Sequence, residues 1–364
     1  MVVTAIISDI SRVKRRGRGA AKNPNARYLL HSREPIDDGW EETDPKPPPL
    51  DTTVTVERPK SVITRNQSPD VPFDYSINPY RGCEHGCIYC YARPTHAYMD
   101  LSPGLDFESK LFAKPDAAQL LRHELSKPGY QCKPIAIGTN TDAYQPIERK
   151  WQITRAIMEV LAECRHPVSI VTKSSLVERD IDLLRPMAES GLVEVFVSVT
   201  TLDRNLARRM EPRATAPQRR LETLSRLHDA GIPTGVMVAP VIPVLNDKEI
   251  ETILEVSAAL GVRFAGYVLL RLPREVKDLF QAWLAENEPL KAGHVMSMMR
   301  AMRGGKENDP EFGSRMRGTG VYADLIRRRF RLACKRLGLN KSEHKLDVSK
   351  FTPPVSDGNQ LALF

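Results

Sequence analysis

Between residues 64 and 271, short apolar runs alternate with amphipathic stretches, and no other feature limits the fold as much. Strands are expected at 73–77, 134–138, 168–172, 193–199, 234–238 and 264–269, where apolar runs sit between turn residues. Helices are expected at 117–125, 153–164, 179–189, 218–230 and 247–260, where apolar residues recur at helical spacing. Ser190-Gly191, Ala230-Gly231 and Leu260-Gly261 each close a helix, since glycine readily takes the left-handed position just past a helix end. Regular alternation of this kind needs parallel strands joined by right-handed crossovers. About six βα units build either an open sheet or a partial barrel, and periodicity does not choose between them. In both, catalytic groups collect at the C-terminal ends of the strands.

The two ends of the chain have a different character. Arg12, Lys14, Arg15, Arg16, Arg18, Lys22, Arg27 and Arg33 follow one another with no acid among them. Glu34, Asp37, Asp38, Glu41, Glu42 and Asp44 come next, and then Pro45-Lys46-Pro47-Pro48-Pro49. A charge block beside a proline run reads as a mobile segment, so residues 1–60 are expected to form a disordered, basic/acidic, Pro-rich arm. Its basic part suits salt-sensitive phosphate contacts. Residues 61–271 are the α/β core. Residues 272–340 lose the β alternation and are expected as a basic helical extension, with 322–337 at helical spacing and Met296, Met298, Met299 and Met302 as core filling. Residues 341–364 read as a polar tail. Residues 300–350 carry fourteen Lys/Arg against six Asp/Glu, a local excess of +8 that equals the net charge of the whole chain. An anionic partner would then be gripped by the two ends around a near-neutral core.

Cys83, Cys87 and Cys90 lie in the run Arg81-Gly82-Cys83-Glu84-His85-Gly86-Cys87-Ile88-Tyr89-Cys90-Tyr91. The other three cysteines, Cys132, Cys164 and Cys334, are isolated, which is too sparse for a disulfide scaffold. A structural zinc site normally takes four ligands, usually as two pairs, and no second Cys-x2-Cys is present. A redox dithiol needs only Cys-x2-Cys, so the third cysteine would be surplus. Three thiolates are well suited to an iron–sulfur cluster with one iron left open.

The Cys-x3-Cys-x2-Cys spacing, with Tyr89 before the last cysteine, resembles the signature of the radical SAM superfamily. The resemblance covers about residues 64–271 and implies a partial (β/α)6 TIM-type barrel with the C-terminal helical extension and N-terminal arm appended. It implies that Cys83, Cys87 and Cys90 hold a 4Fe–4S cluster whose open iron binds S-adenosylmethionine. One electron would then cleave the sulfonium to give a 5′-deoxyadenosyl radical, with flavodoxin or ferredoxin as the reductant. By the same resemblance Tyr89 lies near the adenine. Thr141 and Asp142, after the second strand, take the place of the family's cofactor-contacting segment, although its usual Gly-Gly-Glu wording is absent; capping is the alternative role for both. Ser198, at the end of the fourth strand, is a further cofactor-binding candidate. Lys173, Ser174, Ser175 and Thr200 also stand at strand ends. Arg208 and Arg209 suit either a carboxylate or phosphate clamp or a surface ion pair.

The segments 75–83, 141–148 and 240–247 resemble the spore photoproduct lyase branch, also called DNA repair photolyase-like. That resemblance implies repair or modification of DNA and a cysteine as hydrogen donor. Cys132 and Cys164 are expected at the wrong end of the strands for such a donor, and Cys334 in a helix core. Modification of a protein or small metabolite, or a non-catalytic metal-stabilised module associated with DNA, are the alternatives. The terminal Gln360-Leu361-Ala362-Leu363-Phe364 resembles the peptide by which bacterial repair proteins dock on the sliding clamp, through Gln360, Leu361, Leu363 and Phe364. No apolar run reaches the ~18 residues of a membrane span, and the N-terminus lacks the order of a secretory signal. A cytoplasmic, reducing location without membrane association is expected.

Overall fold

In the computed structural model of the chain, residues 17–28, 50–341 and 345–354 are described. The chain opens with β1 (Thr53–Val56), β2 (Ile63–Arg65), β3 (Tyr75–Ile77) and β4 (Tyr80–Arg81). A short α1 (Asp106–Ser109) leads directly into β5 (Lys110–Ala113). The regular alternation follows: α2 (Ala117–Leu125), β6 (Ile135–Ile137), α3 (Glu148–Trp151), α4 (Ile153–Glu163), β7 (Val168–Thr172), α5 (Ile181–Glu189) and β8 (Val193–Ser198). It continues with α6 (Arg204–Met210), α7 (Pro217–Asp229), β9 (Thr234–Val241), α8 (Ile250–Ala259) and β10 (Phe264–Leu269). Three helices complete it: α9 (Val276–Asn287), α10 (Pro289–Ala301) and α11 (Gly320–Leu337).

The main sheet has the order β10-β9-β8-β7-β6-β3-β2. Six strands run parallel in sequence order, and β2 pairs antiparallel with β3 at the edge. This is the expected six-unit α/β arrangement. One face of its central strands is fully buried, with Val168, Ile170, Val193, Val195 and Val197 inaccessible, while most residues between them are partly exposed. On α4, Ile153, Ile157, Met158, Val160 and Leu161 are buried against it. Gly138, at φ +87°, ends β6 where a Cβ would run into the Val171 carbonyl of β7. Glycine is the residue that tolerates both the close approach and the left-handed backbone.

A second, three-stranded sheet, β1-β5-β4, flanks the first and frames the cysteine run. Here the structure departs from the expected arm over residues 1–60. Residues 50–56 contribute β1 and residues 17–28 pack into the fold, with Ala20 and Ala26 buried. The β-branched run Thr52-Thr53-Val54-Thr55-Val56 is a strand signal overshadowed by the neighbouring prolines and charges. Residues 1–16 and 29–49 lie outside the described residues.

The C-terminal helices pack back on the barrel. From α11, Arg329 pairs with Glu251 at 2.6 Å, Arg336 with Glu255, and Tyr322 with Asp247. Arg300 pairs with Glu307 and Arg327 with Asp324. Asp70, Glu251 and Glu255, acids from outside residues 300–350, thus offset three of the eight excess charges, through Arg315, Arg329 and Arg336. No helix among the described residues is long and apolar enough to cross a membrane.

Candidate active site

The cysteine run leaves β4 at the strand C-termini. Gly82 turns it at φ +75°, where a Cβ would press on the Leu111 and His96 side chains and the Phe107 carbonyl. Cys83 and Cys87 are 7% and 8% exposed, and Cys90 is half-buried. The loop backbone is held by buried side chains that point at it. The Gln145 amide accepts from Glu84 N at 2.8 Å and donates to the Gly82 carbonyl at 3.0 Å. Arg93, inaccessible to solvent, donates to the carbonyls of Cys87 (2.9 Å), Gly86 (3.2 Å), Gly104 (2.9 Å) and Pro103 (3.1 Å) and pairs with Glu108.

The segment that sequence reading assigned to a mobile arm closes this loop from one side. Gly19 N and Ala20 N donate to the Glu108 carboxylate at 2.9 and 2.8 Å. Arg18 donates to the Glu108 carbonyl, the Leu50 carbonyl and Thr52. Gly19 lies so close to Gly86 that a Cβ would run into the Gly86 carbonyl oxygen. Asn23 brackets Asp106, accepting from its backbone N–H at 3.1 Å and donating to its carboxylate at 3.0 Å. Glu108 thus joins the N-terminal segment, Arg93 and the cysteine loop in one buried junction.

The opposite side is fixed by residues 210–213. Ile88 N donates to the Met210 carbonyl at 3.0 Å, and Arg213 N to the His85 carbonyl at 3.2 Å. Tyr89 donates its hydroxyl to Glu211, which also accepts from Thr200 at 2.6 Å and pairs with Arg220. Arg220 donates to the Ser198 carbonyl at 3.0 Å. This network ties the cysteine loop to the ends of β8 and β9. Burial opposes the charge on Glu211, but the Arg220 and Lys173 cations and the Arg220 and Thr200 hydrogen bonds hold its pKa down to about 2, from an ordinary 4.5. A depressed folded-state pKa contributes stability above pH 4.5 that is lost as pH falls towards 2. The shift corresponds to roughly 3 kcal/mol. Wild type is expected to lose about 2 kcal/mol more stability than Glu211→Gln between pH 5 and pH 2.5 in urea titrations, with the rest lost below pH 2.5. Parallel pH profiles for the two proteins would refute this role.

The sequence-predicted residues are placed as follows. Thr141 donates to the Tyr80 carbonyl at 3.0 Å. Asp142 accepts from Thr172 and Lys173 N, both at 2.7 Å, and from Tyr144 N, and faces His85. Both therefore fasten the end of β6 to its neighbours. Ser198 is buried at the end of β8, and its carbonyl serves Arg220. Arg209 pairs with Glu288, the surface ion-pair alternative, and Arg208 is exposed. Lys173, half-buried, makes no ion pair or hydrogen bond through its ammonium with a described residue, yet lies near enough to favour the thiolates of Cys87 and Cys90. Cys132 precedes β6 and Cys164 caps the C-terminus of α4, at the strand end away from the cysteine loop. Cys334 is buried on α11. Arg93, Gln145, Glu108 and Glu211 were not found from sequence. The signal available was a charged or amide residue next to a motif, inside an otherwise apolar region.

Burial and the neighbouring acid Asp142 push the Cys83 thiol well up, and burial and Glu211 take Cys87 to about 12. Three thiols so close that their charges repel, two buried and one half-buried, become thiolates when a cationic centre binds them. Among the described residues no three His, Cys, Asp or Glu side chains converge on one ion.

The structure thus gathers three thiols on one loop at the C-terminal end of a parallel α/β partial barrel. The chain belongs to the radical SAM superfamily, whose family model matches residues 77–256. That family uses a 4Fe–4S cluster and S-adenosylmethionine. An uncharacterized protein of Mycobacterium tuberculosis (strain ATCC 25618 / H37Rv) is 39% identical over 221 residues, covering 60% of this chain and 65% of that protein, just under two thirds of its length. An uncharacterized protein of Methanocaldococcus jannaschii is 30% identical over 215 residues, covering 59% of this chain and 76% of that one. A solved spore photoproduct lyase, complexed with dinucleoside spore photoproduct, has a similar fold, with TM-score 0.57 and 14% identity over 79% of this chain and 80% of that one.

Proposed function

We propose that the chain is a radical SAM enzyme that repairs or modifies nucleic acid. The observation that carries the reading is the shared fold with spore photoproduct lyase. It extends over 79% of the chain, well beyond residues 77–256 of the family match. Cys83, Cys87 and Cys90 would hold the cluster, whose chemistry there would be one-electron cleavage of S-adenosylmethionine to a hydrogen-abstracting 5′-deoxyadenosyl radical. The protein's own contribution is positioning and dryness. Arg93 and Gln145 hold the loop backbone, the 17–20 segment keeps water from its outer side, and Glu211 anchors Tyr89. Lys173, whose ammonium makes no ion pair with a described residue, would receive the carboxylate of S-adenosylmethionine. Lys173→Met is expected to weaken S-adenosylmethionine binding by about tenfold or more, the range of a charge-assisted hydrogen bond. Equilibrium dialysis giving equal affinity would remove Lys173 from that role.

The reading is tested with anaerobically reconstituted protein, dithionite, S-adenosylmethionine and ultraviolet-irradiated DNA. Release of 5′-deoxyadenosine together with an altered DNA product is expected. Turnover of S-adenosylmethionine with no DNA product under any damage regime would point to a protein or small-metabolite substrate instead. A flavodoxin or ferredoxin is the proposed reductant. The clamp-docking residues Gln360, Leu361, Leu363 and Phe364 lie outside the described residues, and the proposal that they bind the sliding clamp rests on their wording. Deleting 360–364 should abolish co-precipitation with the clamp; undiminished recovery would discard it.

A further inference from the structure

Arg271 follows β10 at the same barrel end as the cysteine loop, and its guanidinium carbon lies 5.5 Å from the centroid of the Tyr91 ring. Tyr91 is the residue after Cys90 and is 47% exposed. The hydrogen bond described for the Arg271 guanidinium goes to the Met316 sulfur at 3.7 Å, a weak acceptor, and its buried Nε has no acceptor. The nearby carboxylate, Asp70, is occupied by Arg315 and by Gly313 N at 2.6 Å. Behind it stands Arg303, 3% exposed, whose hydrogen bonds go only to carbonyls, Leu270 at 2.8 Å, Arg315 at 2.7 Å and Ser314 at 3.3 Å; the carboxylate near it, Asp309, accepts instead from Glu311 N and the Ser314 hydroxyl. Its Nε is also buried without a partner. Neither Arg271 nor Arg303 forms an ion pair with a described residue, whereas arginines on α11 such as Arg329 and Arg336 do.

Withdrawing guanidinium charge from water without a counter-anion is costly. Burial and Arg315 push the Arg271 pKa down, and burial takes Arg303 to about 10. An anionic ligand would supply the missing charge. With one face of Arg271 on Tyr91, its N–H edge is left for a bidentate oxyanion. Phe312, 58% exposed, repeats the arrangement with Arg315 at 4.4 Å over its ring. Exposed aromatic faces beside arginines are the elements that stack bases and hold the backbone of unpaired nucleic acid. We propose that Arg271, stacked on Tyr91 and backed by Arg303, is the subsite for a phosphate of a single-stranded or extruded nucleotide at the barrel mouth. This rests on the nucleic-acid reading above and names the contact that reading lacks.

The test is fluorescence anisotropy of a labelled single-stranded oligonucleotide on the cluster-loaded full chain, without reductant, at several salt concentrations. Arg271→Gln is expected to weaken binding about tenfold and to flatten the log–log salt dependence by about one unit. Its melting temperature should hold or rise, since an unpaired buried charge is removed; a merely structural arginine would lower it. Competition with a mononucleotide separates the sources of phosphate. Strong competition, itself lost in Arg271→Gln, upholds the subsite and assigns it to a free nucleotide. Equal affinity and salt slope in wild type and variant overturn the proposal, as does wild type binding neither probe. Failure of the nucleic-acid reading shows separately, as S-adenosylmethionine turnover with no DNA product.

Discussion

Cys87→Ser protein, reconstituted anaerobically, is expected to remain folded, lack the cluster's brown absorption and release no 5′-deoxyadenosine above background. Cys87 has the middle thiol of the run and is 8% exposed. Its serine replacement keeps the volume but offers a hydroxyl that does not ionise near neutrality, so one iron loses its anionic ligand. Burial and Glu211 raise the thiol to about 12 in the metal-free chain, so binding must displace the proton, and a serine proton is held far more tightly. The control is the set Cys132→Ser, Cys164→Ser and Cys334→Ser. These thiols lie before β6, at the end of α4 and on α11, and the variants should load iron and sulfide like wild type. Loss of the cluster in any of them, or its retention in Cys87→Ser, would reverse the assignment.

Arg93→Met should cost about 3–5 kcal/mol of stability, the range for breaking a buried pair by removing one partner. The side chain is inaccessible, and it serves four backbone carbonyls besides Glu108. Removing it leaves a buried carboxylate with the N–H groups of Gly19 and Ala20, and frees the Gly86 and Cys87 carbonyls inside the cysteine loop. At ~2–4 °C per kcal/mol for a chain of this class, melting should fall by ten degrees or so. Adding Glu108→Gln should recover part of the loss, since the orphaned charge is gone. A fall of under ~1 kcal/mol, or no recovery in the double variant, would show that the junction does not carry the loop.

The βα core was legible because its strands and helices are regular. β7 and β10 coincide with the expected runs, and α2 matches residue for residue. The cysteines were legible because chemistry fixes their spacing. The supports of that loop were not. Gly19 docks on Gly86 backbone to backbone, which leaves no apolar periodicity to detect, and it sits among arginines that suggest solvation. Glu211 meets Tyr89 122 residues away, and Arg93 turns back on carbonyls that only the folded cysteine loop gathers round it, so their roles exist only after folding. Thr141 and Asp142 occupy the expected loop, yet hydrogen bonding turns both towards the protein frame.

The Glu108 junction also redraws where the working unit ends. The family model matches residues 77–256, but Glu108 accepts from Gly19, 89 residues upstream, and Arg303 and Arg315 reach the barrel mouth from beyond α10. A fragment trimmed to the matched residues would keep all three thiols and lose the wall on their outer side. It should bind iron but surrender it to oxygen faster than the full chain, so sequence similarity here marks out the chemistry while its protection is encoded elsewhere.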